Sequence, residues 1–359
     1  MTTLPRRIAI SLGSIGTLQD GLGEFALQIG QRVAQEAAIW RERDNVVFHF
    51  HMRERLFGLF GSEVSYFPVN RWQRWRHVQP QRFDLWHSLH QLNKTLPPQG
   101  CGPRVLTVHD LNYFVDKQGL ARWHSHRRAL AMMRRTDRVV AISQFSASDV
   151  RKHLNWRGPL EVILRGARDF TATPQTPLPG WLADDKRPFL FHLSRMSPSK
   201  NPQAIVGLAQ AWPEMNFIFS GPPSEDAKHL RDTVKLSNVQ FHLGISDGQK
   251  AWAFAHCAGF LFPSFAEGFG LPPVEAMQFG RPVFLSRLTS LPEIGGDVAE
   301  YFDDFTPDAM RQVVERGLAR QAEPGREDAI RAHAALFDSD AAAGEYMALY
   351  RRLLGLAAC

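Results

Sequence analysis

Glu267 and Glu275 bracket the run Glu267-Gly268-Phe269-Gly270-Leu271-Pro272-Pro273-Val274-Glu275. A carboxylate carries only acceptor oxygens, and vicinal hydroxyls can bind it in pairs. The glycines between the two carboxylates let backbone come close to a ligand. Further up the chain, Arg195 and Lys200 fall in the polar stretch Ser194-Arg195-Met196-Ser197-Pro198-Ser199-Lys200-Asn201, and His109 adjoins Asp110 in Thr107-Val108-His109-Asp110-Leu111. Gly21 and Gly23 in Asp20-Gly21-Leu22-Gly23-Glu24-Phe25 suit a turn that opens a helix and turns backbone N–H groups toward a phosphate or sugar. Each group also has a bland reading. Glu275 could complement a helix dipole, Arg195 and Lys200 could be solvated, the glycines could make a tight turn, and His109 could be a satisfied core histidine.

The elements around these residues give them a common setting. Gly259-Phe260-Leu261-Phe262-Pro263 reads as a short buried strand just before Glu267. Pro273 suits the first turn of the helix that carries Glu275. Glu267 is therefore expected at a strand end and Glu275 near the next helix start, on the edge of an open α/β sheet where ligands bind. Arg195 and Lys200 follow the strand candidate Phe189–Leu193, and His109 ends the candidate Val105–His109. Further strands are expected at Arg7–Ser11, Val46–His51, Phe83–Ser88, Arg138–Ile142, Leu160–Leu164, Phe217–Ser220, Val239–Leu243 and Val283–Leu285. A helix is expected near Glu24–Ala37, Ser143 is a candidate cap, and Ser246-Asp247-Gly248-Gln249 has capping-box spacing. This βα alternation predicts doubly wound parallel sheets. The Pro- and Thr-rich stretch Thr171–Gly180 reads as a linker.

The chain has 359 residues, room for two domains of ordinary size. Its 44% hydrophobic and 22% charged residues are those of a soluble globular protein. No apolar run is long enough for a transmembrane helix, and the basic N-terminus leads into a strand rather than a signal-peptide apolar region. Cys101, Cys257 and Cys359 are odd in number and far apart, which argues against a disulfide framework or zinc site and for a reducing cytoplasm. Residues 1–180 carry 25 Lys/Arg against 14 Asp/Glu, and residues 181–359 carry 17 against 22. A basic N-terminal half suggests a surface that faces anions. Arg71, Trp72, Arg74, Trp75 and Arg76 interleave charge with aromatic rings, which suits a bilayer interface or nucleic acid, or else a solvated loop with rings tucked into the core.

The Glu-x7-Glu spacing with Gly-Phe-Gly-Leu-Pro inside resembles the signature of the retaining GT-B glycosyltransferases, glycosyltransferase group 1, family four. The resemblance is strongest from about Phe189 to Tyr301. It implies a GT-B fold: an α/β protein of two Rossmann-like doubly wound parallel-sheet domains facing a cleft. The expected division is an acceptor-side domain over 1–170, a linker over 171–187, a nucleotide-sugar-binding domain over 188–342, and a terminal helix over about 343–359 returning to the first domain. By this resemblance Glu267 contacts the donor sugar, Glu275 the ribose, and Arg195 and Lys200 the donor diphosphate. His109 then contacts the transferred sugar, and Gly268, Phe269, Gly270, Leu271, Gly21 and Gly23 belong to donor-binding loops. Gly221, Gly244 and Ile245 line the nucleotide-base pocket. The sequence departs from the family pattern at Ser194, where Gly is usual, at Glu24, and at Leu164-Arg165-Gly166-Ala167-Arg168.

The resemblance implies a metal-independent, retaining hexosyltransferase that uses a nucleoside diphosphate sugar and no cofactor. Its mannosyl- and rhamnosyl-type members share the Glu-Gly-Phe-Gly-Leu-Pro form, so a GDP-sugar is the expected donor. The expected acceptor is a glycan or a polyprenyl-diphosphate-linked lipid in cell-surface polysaccharide or lipopolysaccharide synthesis. The expected place is the cytoplasm, peripheral on the anionic inner face of the membrane through residues 71–76. A GT-B nucleotide-sugar epimerase and a silent nucleotide-sugar-binding subunit remain alternatives. A nucleic-acid-binding protein is a third, although no zinc-knuckle or RNP-type motif supports a nucleic-acid partner.

Overall fold

Short apolar runs, many of them rich in β-branched and aromatic residues, form two parallel sheets, and each sheet is the frame of one compact unit. The computed structural model describes residues 4–13, 15–16, 18, 20–75, 77–78, 81–180 and 187–357. The first unit comprises residues up to Gly166 together with Ser339 onward, and the second comprises Ala167–Asp338.

In the first unit the strands are β1 (Arg6–Ser11), β2 (Val46–Met52), β3 (Ser65–Pro68), β4 (Leu85–Ser88), β5 (Arg104–Val108), β6 (Arg138–Ala141) and β7 (Leu160–Val162), ordered β3-β2-β1-β4-β5-β6-β7. All adjacent pairs are parallel. Ile8, Ile10, Phe48, Phe50, Leu85, Val105 and Val140 are buried in the main core, while Ala9, Phe83 and Trp86 bury in a separate cluster. Near-continuous apolar strands of this kind follow from a sheet covered on both faces. The order reverses direction at β1, which pairs with β2 on one side and β4 on the other. The helix after β1 runs Gly21–Asp44, longer at both ends than the apolar spacing from Glu24 to Ala37 suggests. Asp20 begins it by accepting from Gly23 N–H at 2.8 Å, and Asn45 ends it in the left-handed region with φ 51°. The helix Ser339–Leu354 packs on this sheet. Its buried Tyr350 hydroxyl lies 2.6 Å from His87 Nδ1, and its Tyr346 hydroxyl 3.2 Å from Thr107 Oγ1.

In the second unit the strands are β8 (Phe189–Leu193), β9 (Asn216–Gly221), β10 (Val239–Leu243), β11 (Gly259–Phe262), β12 (Val283–Ser286) and β13 (Glu300–Phe302), ordered β10-β9-β8-β11-β12-β13 and again all parallel. The reversal lies between β8 and β11. Loops after these two strands therefore flank the crevice in which doubly wound sheets bind ligands. Ser246 and Gln249 form the capping box expected from their spacing, at the start of the helix Asp247–His256. The helix Glu225–Thr233 and strand β3 were not foreseen. The helix is short and mostly polar, and β3 is an edge strand of four residues, so each offers only a few residues of pattern.

Candidate functional site

The loop after β8 and the loop after β11 are joined by a buried ion pair. Lys200 Nζ lies 2.7 Å from Glu267 Oε1, and each side chain is 10% exposed. Lys200 also donates to Ala266 O at 3.3 Å. Beneath the pair, Phe265 N–H donates to Ser199 O at 2.7 Å, so backbone stitches the two loops as well. Lys200 sits at the end of the short turn Pro198–Lys200, stopped by Asn201 at φ 52°, from which the helix Pro202–Ala211 departs. Glu267 N–H donates to Thr289 Oγ1 at 3.1 Å. The Ser290 hydroxyl lies 3.1 Å from Glu267 O and 2.7 Å from Phe269 O. The loop after β12 thus holds the Gly-rich turn from behind.

Gly270 adopts φ +119° and a Cβ there would come within 2.9 Å of Leu291 Cδ2, so the turn into the helix Leu271–Gln278 requires glycine. Phe269 is buried, edge-on to Phe337 with ring centroids 5.7 Å apart, and Leu271 is also buried. The Phe269 side chain therefore belongs to the core, and backbone is what the turn presents. Glu275 lies in the second turn of this helix and is only 2% exposed at its side chain, with Lys250 Nζ 2.8 Å from Oε2. Lys250 in turn stands 4.0 Å from the Phe170 ring centroid.

Arg195 lies exposed in the loop after β8, and its carbonyl accepts from Ser224 Oγ at 2.9 Å. At the end of β9, a Cβ on Gly221 would fall 1.7 Å from Ser194 O, so backbone passes backbone where no side chain fits. Gly244 N–H donates to Gly221 O at 2.8 Å and Gly244 itself has φ +73°, while Ile245 is half-buried beside it. Arg195, Lys200, Gly221, Gly244, Glu267 and the turn Gly268–Leu271 all follow C-terminal strand ends of one sheet.

In the first unit His109 follows β5 and is buried. Its Nε2 lies 2.9 Å from Leu89 O, and because a carbonyl only accepts, Nε2 carries the proton and Nδ1 is the acceptor. Nδ1 has no hydrogen-bond partner among the described residues. Burial, and then the charge of Arg165, hold the His109 pKa well below the usual 6.5, so the ring is neutral. Gly21 and Gly23 lie inside the first helical turn, where Gly23 N–H is already taken by Asp20 and Gly21 O accepts from the Arg165 guanidinium. Arg71, Trp72 and Arg74 form a short 3-10 turn after β3 that leads into Trp75. Trp72 and Trp75 are 58% and 59% exposed, and Arg74 stacks 3.6 Å from the Trp75 ring centroid. Arg76 lies outside the described residues. Among the described residues no three His, Cys, Asp or Glu side chains gather as a metal-ligand group.

Residues 32–168 match the family described as Glycosyltransferase Family 4, and residues 179–329 match Glycosyl transferases group 1. Each half of the chain is thus similar to a glycosyltransferase family, the second half to group 1. Its relatives include the serotype-specific mannosyltransferase WbdA of Escherichia coli, 29% identical over 240 residues that make up 61% of this chain and 29% of that one. The O-antigen chain mannosyltransferase B of Escherichia coli is 27% identical over 227 residues, 57% of this chain and 58% of that one. The chain thus spans less than two thirds of the length of either relative. Among solved structures, a sucrose-phosphate synthase from Thermosynechococcus elongatus superposes with a TM-score of 0.73 at 17% identity, covering 98% of this chain and 99% of that one. HepE of Anabaena, in complex with UDP and glucose, gives 0.69 at 18% identity, covering 96% and 98%. These structures share the GT-B fold with this chain.

Several residues around these loops escaped sequence reasoning. Lys250, Thr289 and Ser290 lie 21 or more residues from the carboxylates or loops they hold. None belongs to a motif, and only the fold brings them in. Arg165 falls in the stretch that departs from the family pattern, which was the one available signal for it.

Proposed function

We propose that this chain is a retaining glycosyltransferase that moves a hexose, mannose in the first instance, from a nucleoside diphosphate sugar to a glycan or lipid-linked acceptor. The observation that carries this reading is the buried Lys200–Glu267 pair at the β8/β11 crevice. The names of the relatives, mannosyltransferases of O-antigen chains, support mannose and therefore a GDP-linked donor. HepE carries UDP and glucose, which keeps UDP-sugars among the donors to test.

In this mechanism the ribose hydroxyls bind Glu275 and the sugar hydroxyls bind Glu267, each as bonds to an acceptor-only carboxylate. Arg195 and Lys200 take the charge that develops on the leaving diphosphate, an electrostatic gain larger in the transition state than in the ground state. Before the donor arrives, Glu267 compensates the Lys200 ammonium, which would otherwise be a buried uncompensated charge. The acceptor hydroxyl attacks the face from which the diphosphate departs, and a phosphate oxygen of the leaving group takes its proton. The anomeric C–O bond to phosphate breaks as the new glycosidic bond forms, with no metal and no cofactor required. His109, neutral and with Nδ1 as acceptor, contacts the transferred sugar rather than serving as a strong base. The exposed Trp72–Trp75 turn, with its stacked arginines, docks the enzyme on the anionic inner face of the cytoplasmic membrane, where a lipid-linked acceptor resides.

A thermal-shift panel of GDP, UDP, ADP, dTDP and their sugars tests the donor half of this reading, because a ligand that binds the folded state raises its melting temperature. GDP and GDP-mannose are expected to stabilise the protein and Glu275→Ala to abolish the shift. A folded protein that none of them shifts would overturn the assignment.

A further inference from the structure

Arg195 is exposed, yet the backbone on both sides of it is tightly tied. Ser194 N–H donates to Ser220 O at 2.9 Å, and Ser194 O passes Gly221 so closely that a methyl group could not stand there. Arg195 O accepts from Ser224 Oγ at 2.9 Å. Met196, the next residue, is buried, with φ +56°, a conformation unusual for a residue with a side chain. Something must hold Met196 there. Met196 N–H donates to Ser194 Oγ at 2.9 Å, closing a small side-chain turn with Arg195 at its apex.

The Ser194 hydroxyl is itself oriented from below. His192 is buried on β8, and its Nδ1 lies 2.9 Å from Leu261 O on β11. A carbonyl cannot donate, so Nδ1 carries the proton and Nε2 holds the lone pair. Nε2 lies 2.7 Å from Ser194 Oγ. The Ser194 proton therefore points to His192, which leaves the oxygen lone pairs facing Met196 N–H. Burial depresses the His192 pKa to about 4, with the Lys200 charge adding to the effect, so the ring keeps this neutral form at ordinary pH.

We propose that His192 and Ser194 are positioning residues that aim Arg195 at the leaving diphosphate, through the chain Leu261 O to His192 to Ser194 to Met196 N–H. The chain begins on β11, whose following loop carries Glu267, so one relay sets the Arg195 loop relative to the strand that delivers the sugar-side carboxylate. The inference rests on the diphosphate role of Arg195 given above.

The decisive quantity is the affinity gained from the β-phosphate, read by calorimetric titration of GDP against GMP and of UDP against UMP. A cation bonded to a phosphate oxygen gives about a tenfold gain. Ser194→Ala is expected to lower the diphosphate-to-monophosphate ratio about tenfold with monophosphate affinity unchanged, and Ser194→Thr, which keeps the hydroxyl, to retain the ratio. Arg195→Ala should lower it at least as far, and adding Ser194→Ala to Arg195→Ala should change nothing more, because the serine acts through the arginine. If Ser194→Ala does not fold, Ser194→Gly serves as the hydroxyl-free variant. A normal ratio in Ser194→Ala overturns the positioning role alone, as do additive losses or a parallel fall of monophosphate and diphosphate affinity. A normal ratio in Arg195→Ala, or no binding of any of the nucleotides, overturns the diphosphate role of Arg195 and the relay with it.

Discussion

In the proposed mechanism Glu267 and Lys200 form a pair that is structural and chemical at once. Both side chains are mostly buried and bonded at 2.7 Å, so removal of either strands a charge out of water. Glu267→Ala is expected to destabilise the second unit by about 3 kcal/mol, the usual cost of leaving half of a buried pair, and to abolish transfer. Glu267→Leu combined with Lys200→Met should regain most of that stability and none of the activity. Thermal melts beside a transfer assay separate the two effects, and a double variant as unstable as the single one would contradict this account. Glu267 and Lys200 are both legible in sequence, each from its own motif. Their ion pair is not, because the two residues come from loops that follow different strands.

At the scale of elements, the site depends on backbone fit as much as on side chains. The end of β9 passes the loop after β8 with no space for a Cβ at Gly221. Gly221→Ala would force two backbones apart and should cost about 1–3 kcal/mol, the range for overpacking a close contact, with a loss of nucleotide-diphosphate affinity because the Arg195 loop moves. A variant with unchanged melting temperature and unchanged nucleotide binding would show the contact to be yielding. The 3-10 turn Arg71–Arg74 makes the opposite case. Gln73 anchors it to β2 through His51 Nε2 at 3.0 Å, while Trp72 and Trp75 stay outside. Trp72→Ala with Trp75→Ala should leave the melting temperature within a degree or two, since little apolar area is uncovered, and should weaken co-sedimentation with phosphatidylglycerol vesicles. Equal co-sedimentation by wild type and variant would remove the membrane role from this turn. Residues 71–75 stood out in sequence by composition. Their exposure did not, because Gln73, not the tryptophans, faces inward.

Across the whole molecule, buried histidines make stability depend on acid. Burial holds His49 and His90 near pKa 4, His51 and His87 near 3, and His192 near 4, against an ordinary 6.5. The folded protein keeps these rings neutral while the unfolded chain takes up protons below about 6.5. The unfolded state thus binds more protons, and stability falls as pH drops from 6.5 toward 4. Each such ring contributes up to about 1.4 kcal/mol per pH unit in that window. His49, His51, His87 and His90 all belong to the first unit, so calorimetry from pH 7.5 to 5 should show one transition moving down by several degrees more than the other. Transitions that do not move would mean the histidines are hydrated or protonated in the folded state.

The sequence by itself determined the class of the fold, since strand and helix periodicities follow from local burial, and apolar runs such as Ile8–Ile10 and Phe260–Phe262 can satisfy neither face in water. It also placed Arg195, Lys200 and Glu267 after strand ends and Glu275 in the helix that follows, because short-range spacing fixes such positions. Only the tertiary structure decided which groups face one another. Lys200 meets Glu267 across 67 positions, Lys250 meets Glu275, and His192 reaches Leu261 O across 69. Parallel sheets bring such residues together through strand order, with β8 beside β11 rather than beside β10. That order is set by the packing of all the strands and helices at once, so no local run of residues carries it.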